Sequence, residues 1–450
     1  EAIARFFEGH AGPLGDSDGR VELWEDKAFI SSMAKRIYLV ASGERKSPNL
    51  QVVDDGEGQP PLDFPATFMS IQRANKAKIQ FVQGKWNMGG TGVFTFCGDP
   101  HNFQVLFSKR DPKLLSADAP SDDHNWGFTV VRKRPPREME RRAVFEYLAP
   151  GGLEQGKGEV LQCDHDQLPI LPVESPPALY KGQAGHGTLV KMVDYKWNSS
   201  EASRSSVLVG KGIYTQIDCC LPYSPLPIRI FEGRNFKSSS AAVTSLGLVN
   251  RLRMQAKENM ENESPIKGEL NVEGQRIPIE VSVFKGGAKP EAYVANYGVL
   301  LVVNGQKHGA ISKAFFTRKS VNKSSIRKSM VAILDCSYID REIRDGLFMA
   351  SRDRMRKNDF YKILESQLAS FLNNDHQLKE INNRRRQEEL EKVLNDDSPF
   401  EDILKKLLTK SPLLHKYFRL GNKVPAPFNE GGSGGGAHSE FDGVKHPTLF

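Results

Sequence analysis

Apolar positions fall into short runs and alternations over most of this chain and switch to helical spacing only near its end. Apolar runs at 37–41 and 50–53 predict two strands joined by a polar turn, with a helix over 29–36 before them. Further runs predict strands at 103–108, 126–132 and 143–148, and an alternating strand at 189–195. A short helix is expected over 65–74 and an apolar core segment over 207–216. Three prolines in 221–230 point to an irregular exit from a first domain. Residues 1–8 have one apolar helical face, and 10–19 form a Gly/Pro/Asp loop.

The texture changes from Gly268. Strict alternation on both sides of Glu273-Gly274 predicts a hairpin. Strands follow at 297–304, ending at Asn304-Gly305-Gln306-Lys307, and at 331–336, in a separate α/β domain. From Arg352 onward the spacing is helical. Phe360, Ile363, Leu364, Leu368, Phe371 and Leu372 share one face, and 377–394 reads as a mostly polar helix. A further helix begins at Ser398, and GGSGGG at 431–436 is a flexible linker. No internal repeat is visible.

Three glycine-bearing turns carry the candidate chemistry. The first is Asp54-x-Gly56-x-Gly58, directly after the strand at 50–53. Its aspartate can accept a hydrogen bond from an exocyclic amine such as that of adenine, and its glycines let a flat base approach the backbone. A plain acidic hairpin loop is the alternative. The second is the cluster Gly84, Gly89, Gly90 and Gly92, flanked by Lys76 and Lys85. A loop so rich in glycine can aim consecutive N–H groups at a phosphate, the more so if Val93 starts a helix. The third is Gly185-His186-Gly187-Thr188 at the start of the alternating strand, with His186 read as a turn residue. Neither a Walker A loop nor a G-x-G-x-x-G fingerprint occurs.

Length and composition bound the picture without deciding it. At 450 residues the chain suggests two to four domains, and 39% apolar with 26% charged residues is ordinary for a globular protein. No apolar run approaches the roughly 18 residues of a membrane span, and no secretory leader is visible, so a cytoplasmic, membrane-free setting is expected. The chain begins at Glu1 rather than Met, and the expectation is a piece of a longer protein. The net charge of +7 permits a nucleic-acid partner. Arg132, Lys133, Arg134, Arg137, Arg141 and Arg142 form the densest basic patch of the first half, either a solvated loop or a phosphate contact. Five cysteines without a CxxC pair read as buried thiols.

Taken in order, these motifs resemble the GHKL ATPase superfamily. That group joins gyrase-type topoisomerases, the ninety-kilodalton heat-shock chaperones, histidine kinases and mismatch-repair MutL proteins. The nearest flavour is the MORC-like or prokaryotic branch associated with restriction and phage defence. The resemblance covers roughly residues 30–355. It implies an α+β architecture: a Bergerat-type ATP-binding α/β sandwich over 1–245 and a transducer-like α/β domain over 246–358. A helical region over 359–425 follows, then a linker and the start of a truncated segment over 426–450. Val302-Val303-Asn304-Gly305-Gln306 is similar to a strand motif of the MutL-like transducer.

On that resemblance the cofactors are ATP and Mg2+. Asp54 contacts adenine, with Gly56 and Gly58 beside it. Asn87, Met88, Gly89, Gly90, Thr91 and Gly92 form the ATP lid, with Lys76 and Lys85 before it, and Gly187-Thr188 is the last glycine-threonine box. Lys307 and Arg352, with Arg354 as a further option, are the candidate basic catalytic residues that reach the γ-phosphate. The family's catalytic glutamate and magnesium-binding asparagine form an ExxxN pair on an upstream helix; no such pair precedes Asp54, and no metal ligand is assigned. The expected activity is ATP hydrolysis coupled to lid closure, homodimerisation and a clamp on DNA, with a nuclease or other defence-system subunits as partners. The alternative is a nucleotide-sensing scaffold that does not hydrolyse ATP. A histidine kinase fits less well, because no membrane span or upstream helix presenting a phosphoacceptor histidine is seen.

Overall fold

The computed structural model describes residues 27–70, 93–150, 159–171, 182–197, 206–208, 212–236, 242–254, 256–294, 296–349 and 354–395. These residues build a mixed α+β structure whose sheets are mostly antiparallel. The chain divides into two compact units, one of Glu1–Asn322 with Arg327–Asn373, the other of Lys323–Ile326 with Asn374–Phe450.

The first unit opens with helix α1 (Lys27–Met33) and the hairpin β1 (Ile37–Gly43) and β2 (Pro48–Asp54). Next come β3 (Gln104–Lys109), β4 (Trp126–Arg134), β5 (Val144–Tyr147), β6 (Leu161–Cys163), β7 (Leu168–Leu171), β8 (Gly182–Ala184) and β9 (Gly187–Met192). Helix α2 (Ile213–Cys220) leads to β10 (Ile228–Glu232) and β11 (Ala242–Ser245). A large sheet runs in the order β11-β10-β1-β2-β9-β3-β4-β5, with β6 also on β4. Only β1 and β10 pair in parallel within it.

Both faces of this sheet are covered, which is why its central strands read as apolar runs rather than clean alternations. Tyr38, Val40, Val53, Trp126, Leu189 and Phe231 pack on one face with Ile170 and Ala184 of the β7–β8 hairpin. Leu39, Ala41, Leu50, Met192 and Ile230 pack on the other with Cys97, Val207 and Tyr214 of α2.

The prolines of 221–230 do not mark an exit from the sheet. They end at Pro227, and from Ile228 the chain runs as β10 between β1 and β11, where every residue has an N–H for pairing. The helix expected over 65–74 is a 3-10 stretch at Pro61–Ala66 that starts earlier, seeded by the fixed φ of Pro61; residues 71–74 lie outside the described set. Val93–Phe96 is likewise a four-residue 3-10 stretch and not the start of an α-helix. Residues 1–8 and 398–450 also lie outside the described set.

A second sheet follows helix α3 (Leu248–Met254). Its strands are β12 (Ile266–Val272), β13 (Gln275–Val283), β14 (Tyr297–Val303), β15 (Gln306–Ser312) and β16 (Met330–Asp335), in the order β12-β13-β16-β14-β15. The two tight hairpins turn at Glu273-Gly274 and Asn304-Gly305, both with positive φ at both residues, as the asparagine-glycine and glutamate-glycine pairs predict. Helices α4 (Arg341–Leu347) and α5 (Asp359–Asn374) follow, and the Phe371 ring covers Gly268 of β12. In the second unit, α6 (His376–Asn395) is the mostly polar helix expected, with Leu378 and Ile381 buried.

The two sheets share one apolar junction. Cys219 of α2 and Leu248, Val249 and Leu252 of α3 pack with Leu300, Val302, Val331 and Ile333 of the second sheet. A buried ion pair is set into this junction. Arg251 Nη1 donates to Asp218 Oδ2 at 2.9 Å, Ser245 Oγ donates to Asp218 Oδ1 at 2.6 Å, and Arg251 Nη2 reaches Ala292 O at 2.9 Å. The guanidinium lies 4.0 Å from the centre of the Tyr214 ring. Burial pushes the Asp218 carboxyl above its ordinary range, and the bonds from Ser245 and Arg251 oppose that shift.

Removing one partner leaves the other charge buried and unpaired. Asp218→Ala is therefore expected to cost about 3–5 kcal/mol in urea unfolding, and Asp218→Leu with Arg251→Met to recover most of that loss. A single-variant cost below about 1 kcal/mol would mean that the junction does not depend on the pair.

Candidate functional site

The candidate site forms where β2, β9 and β3 lie side by side. Asp54 ends β2 directly opposite Thr188 of β9, and Thr188 lies opposite Ser108 of β3. Directly opposed residues project from the same face of a sheet, so the three side chains form one row. Two residues inward on that face, Val52 is 37% exposed although β2 is an interior strand. The row therefore has an accessible apolar floor beside it.

The hydroxyls in this row bond one another and the backbone. Ser108 Oγ donates to Gly187 O at 3.0 Å, because a carbonyl only accepts. Its lone pairs receive Gln59 N–H at 2.9 Å and the Thr188 hydroxyl at 3.0 Å. With the Ser108 proton on Gly187 O, Thr188 donates to Ser108 and keeps its lone pairs for a ligand. Asp54 Oδ1 accepts from Gly56 N–H at 2.9 Å, and its carboxylate is otherwise an acceptor as well. The mouth of the row presents acceptors and calls for a donor.

Asp54 is pushed up to about 6. Burial is the main cause and neighbouring Asp55 adds to it, while the Gly56 bond and the charge of His186 pull the other way. His186 is a turn residue, as expected, yet it also ties the two turns together: its Nδ1–H donates to Gly56 O at 2.9 Å. Asp55 N–H bonds Arg36 O at 3.1 Å, and the Arg36 guanidinium stands 3.5 Å from the Asp55 carboxylate.

Two glycines let these loops touch. Gly58 has φ +61°, and a Cβ there would lie 1.8 Å from Lys109 O. Gly187 has φ +118°, and its Cβ would lie 2.1 Å from Asp54 O. No other residue fits either place without moving backbone.

Of the residues singled out from sequence, Asp54, Gly56, Gly58, Gly187 and Thr188 come together here. Lys76, Lys85, Asn87, Met88, Gly89, Gly90, Thr91, Gly92 and Arg352 lie outside the described residues. Lys307 sits in β15, donates to the Tyr297 hydroxyl at 3.0 Å and lies 4.3 Å over that ring. No contact joins it to the Asp54 row among the described residues. Arg354 accepts at its backbone oxygen from Met349 N–H at 3.3 Å.

Sequence patterning missed Ser108. It closes an apolar run and gives no sign that its partner lies 80 residues away. Lys109 was missed too; it is buried and donates to His165 O at 2.9 Å. Of the five cysteines, Cys97, Cys219 and Cys336 are buried as expected, Cys163 is half-buried and Cys220 is exposed.

A cleft of about 660 Å³ opens beside Gln59 and Pro60. Asp63, Asp118 and Asp123 line it against a single cation, Arg110. Three carboxylates repel a polyphosphate, so the cleft is a poor phosphate site despite its size. Among the described residues no three His, Cys, Asp or Glu side chains converge on a metal position. No described helix is long and apolar enough to cross a membrane. No protein-family model matches this chain, and no curated protein matches it.

The Gly187 contact is testable against a neutral site. Gly274 also has positive φ, +81°, but nothing lies within 4 Å of its missing Cβ. Gly274→Ala is expected to cost only the conformational penalty, about 1–3 kcal/mol. Gly187→Ala should lose clearly more in urea unfolding, because the Asp54 carbonyl must also move; equal costs for the two would refute the close approach.

Proposed function

We propose that this chain binds ATP in a pocket of the GHKL, or Bergerat, type, with adenine at the Asp54–Thr188–Ser108 row. The observation that carries this reading is the polarity of the row: Asp54 and Thr188 both present acceptors, next to the exposed Val52. Adenine offers an amine donor at C6 and two apolar faces, whereas guanine offers a carbonyl there and would set acceptor against acceptor. The positive-φ glycines at 58 and 187 hold the two turns close enough for one base to meet both. An adjoining second sheet on a shared apolar junction suits a transducer that senses nucleotide.

Within this reading Asp54 orients the base and excludes guanine, Thr188 accepts a second hydrogen bond directly or through water, and Ser108 holds Thr188 in that role. Magnesium would enter with the nucleotide phosphates rather than on a protein cage, which suits its reluctance to shed water. Hydrolysis and nucleotide-driven dimerisation extend the reading through the GHKL resemblance. A nucleotide-sensing scaffold that binds ATP without turnover is the second reading. Measuring phosphate release at saturating ATP separates the two.

The binding claim has its own test. ATP should bind at least about tenfold more tightly than GTP by calorimetry, because a wrong partner leaves a buried acceptor unpaired. Asp54→Asn retains an oxygen for Gly56 and should fold, yet lose at least about tenfold in ATP affinity. The base contact requires ionised Asp54, so affinity should rise about tenfold from pH 5 to pH 7 as a group near 6 ionises. That rise should exceed the one seen in Asp54→Asn, in which only the nucleotide titrates. Equal affinities for wild type and variant would sink the pocket assignment.

A further inference from the structure

The cleft beside Gln59 and Pro60 is ill suited to phosphate, and the same features suit it to a ligand of the opposite charge. It holds about 660 Å³, inside the range of roughly 300–1,000 Å³ usual for small-molecule sites. Its walls are short, anchored turns. One is the 3-10 stretch Pro61–Ala66, whose buried Phe64 ring packs over Gly127 of β4. The others are the 3-10 stretches Pro112–Leu114 and Ser121–His124. Asp111 caps the first of these, accepting from Lys113 N–H at 3.0 Å, and its own N–H donates to Glu57 O at 2.8 Å. The cleft is therefore preformed.

Its charge is unbalanced. Asp63, Asp118 and Asp123 line it, and no ion pair engages any of the three among the described residues. Arg110, the cation of the lining, donates to Glu57 at 3.2 Å and to Gly58 O at 3.3 Å, so its charge is answered away from the three carboxylates. Hydrogen bonds from Ser116 and from its own backbone N–H hold the Asp118 carboxyl below its ordinary range.

The placing of these carboxylates selects among cations. A divalent metal ion needs several oxygens converging on one point. Among the described residues no three His, Cys, Asp or Glu side chains do so. The three acids instead share the cleft with Pro60, Leu114, Leu115, Ala119 and Pro120, and Leu114 is 38% exposed. A matching ligand carries several separate cationic heads joined by apolar stems, since alkyl stems cover apolar surface while their charged heads stay among polar groups. We propose that this cleft binds a linear aliphatic polyamine, with its ammonium groups on Asp63, Asp118 and Asp123 and its methylene chain along Leu114 and Leu115. The proposal goes beyond nucleotide binding at Asp54 and does not rest on it.

The test is calorimetric titration of the full chain with spermidine, run without nucleotide so that the outcome is independent of the Asp54 row. Wild type should bind saturably. Asp63→Asn, Asp118→Asn and Asp123→Asn should each weaken binding about two- to fivefold, as expected for exposed ion pairs, and the three together at least about tenfold. Asp122 is adjacent in sequence, accepts from Ser121 Oγ at 3.4 Å and does not line the cleft. Asp122→Asn should therefore leave the affinity within about twofold at physiological salt, where screening confines charge effects to short range. Circular dichroism of the triple variant should match wild type, which separates lost charge from lost folding. Absence of saturable binding by wild type, or equal affinity in wild type and the triple variant, overturns the proposal, and so does an Asp122→Asn loss as large as that of the lining acids. Saturable binding of magnesium chloride alone, abolished in the triple variant, would make the cleft a metal site instead. Tighter binding of a trilysine peptide than of spermidine would reassign it to a basic protein segment.

Discussion

Everything at the candidate site depends on two backbones passing closer than any side chain allows. At Gly58 the turn after β2 meets the carbonyl of Lys109, and at Gly187 the turn before β9 meets the carbonyl of Asp54. Because those contacts are made, Ser108 can bond Gly187, Gln59 and Thr188 at once. Because Ser108 is thereby saturated, Thr188 is left as an acceptor beside Asp54. Steric permission at two glycines thus fixes the hydrogen-bond polarity of a surface several residues away, and that polarity carries the proposal of an adenine-binding pocket.

The same logic links the site to the second sheet. β2 lies next to β1, β1 next to β10, and β10 next to β11, which ends at Ser245. Ser245 holds Asp218, Asp218 holds Arg251, and Arg251 reaches Ala292 beyond the junction. A buried ion pair adds little net stability over an apolar replacement of similar shape, but it demands one geometry. It stands among apolar residues drawn from α2, α3 and both faces of the junction, where a slip would strand a charge.

Charge is distributed by the same principle of internal satisfaction. In the basic patch that is densest along the first half of the chain, Arg132 and Arg134 are matched by Glu140 and Glu146 once β4 and β5 pair. The β15–β16 connection has no carboxylate of its own, and Arg318 takes its partner, Glu365, from α5.

The sequence by itself determined the local elements whose residues interact with near neighbours. The Glu273-Gly274 and Asn304-Gly305 hairpins, the β1–β2 hairpin and the amphipathic face of α5 were all legible, because turn chemistry and periodicity act over a few residues. Asp54, Gly58 and Gly187 were legible as turn residues for the same reason. Only the tertiary structure decided that Leu221 to Ile230 returns to the sheet as β10, since pairing with β1 lies some 190 residues away in the chain. It alone decided that Ser108 stands beside Thr188 and that Lys307 packs on Tyr297. Strand order is a matter of long-range pairing, and no periodicity records which strand lies next to which. The motif residues were therefore readable from the chain, but the direction in which their protons point was not.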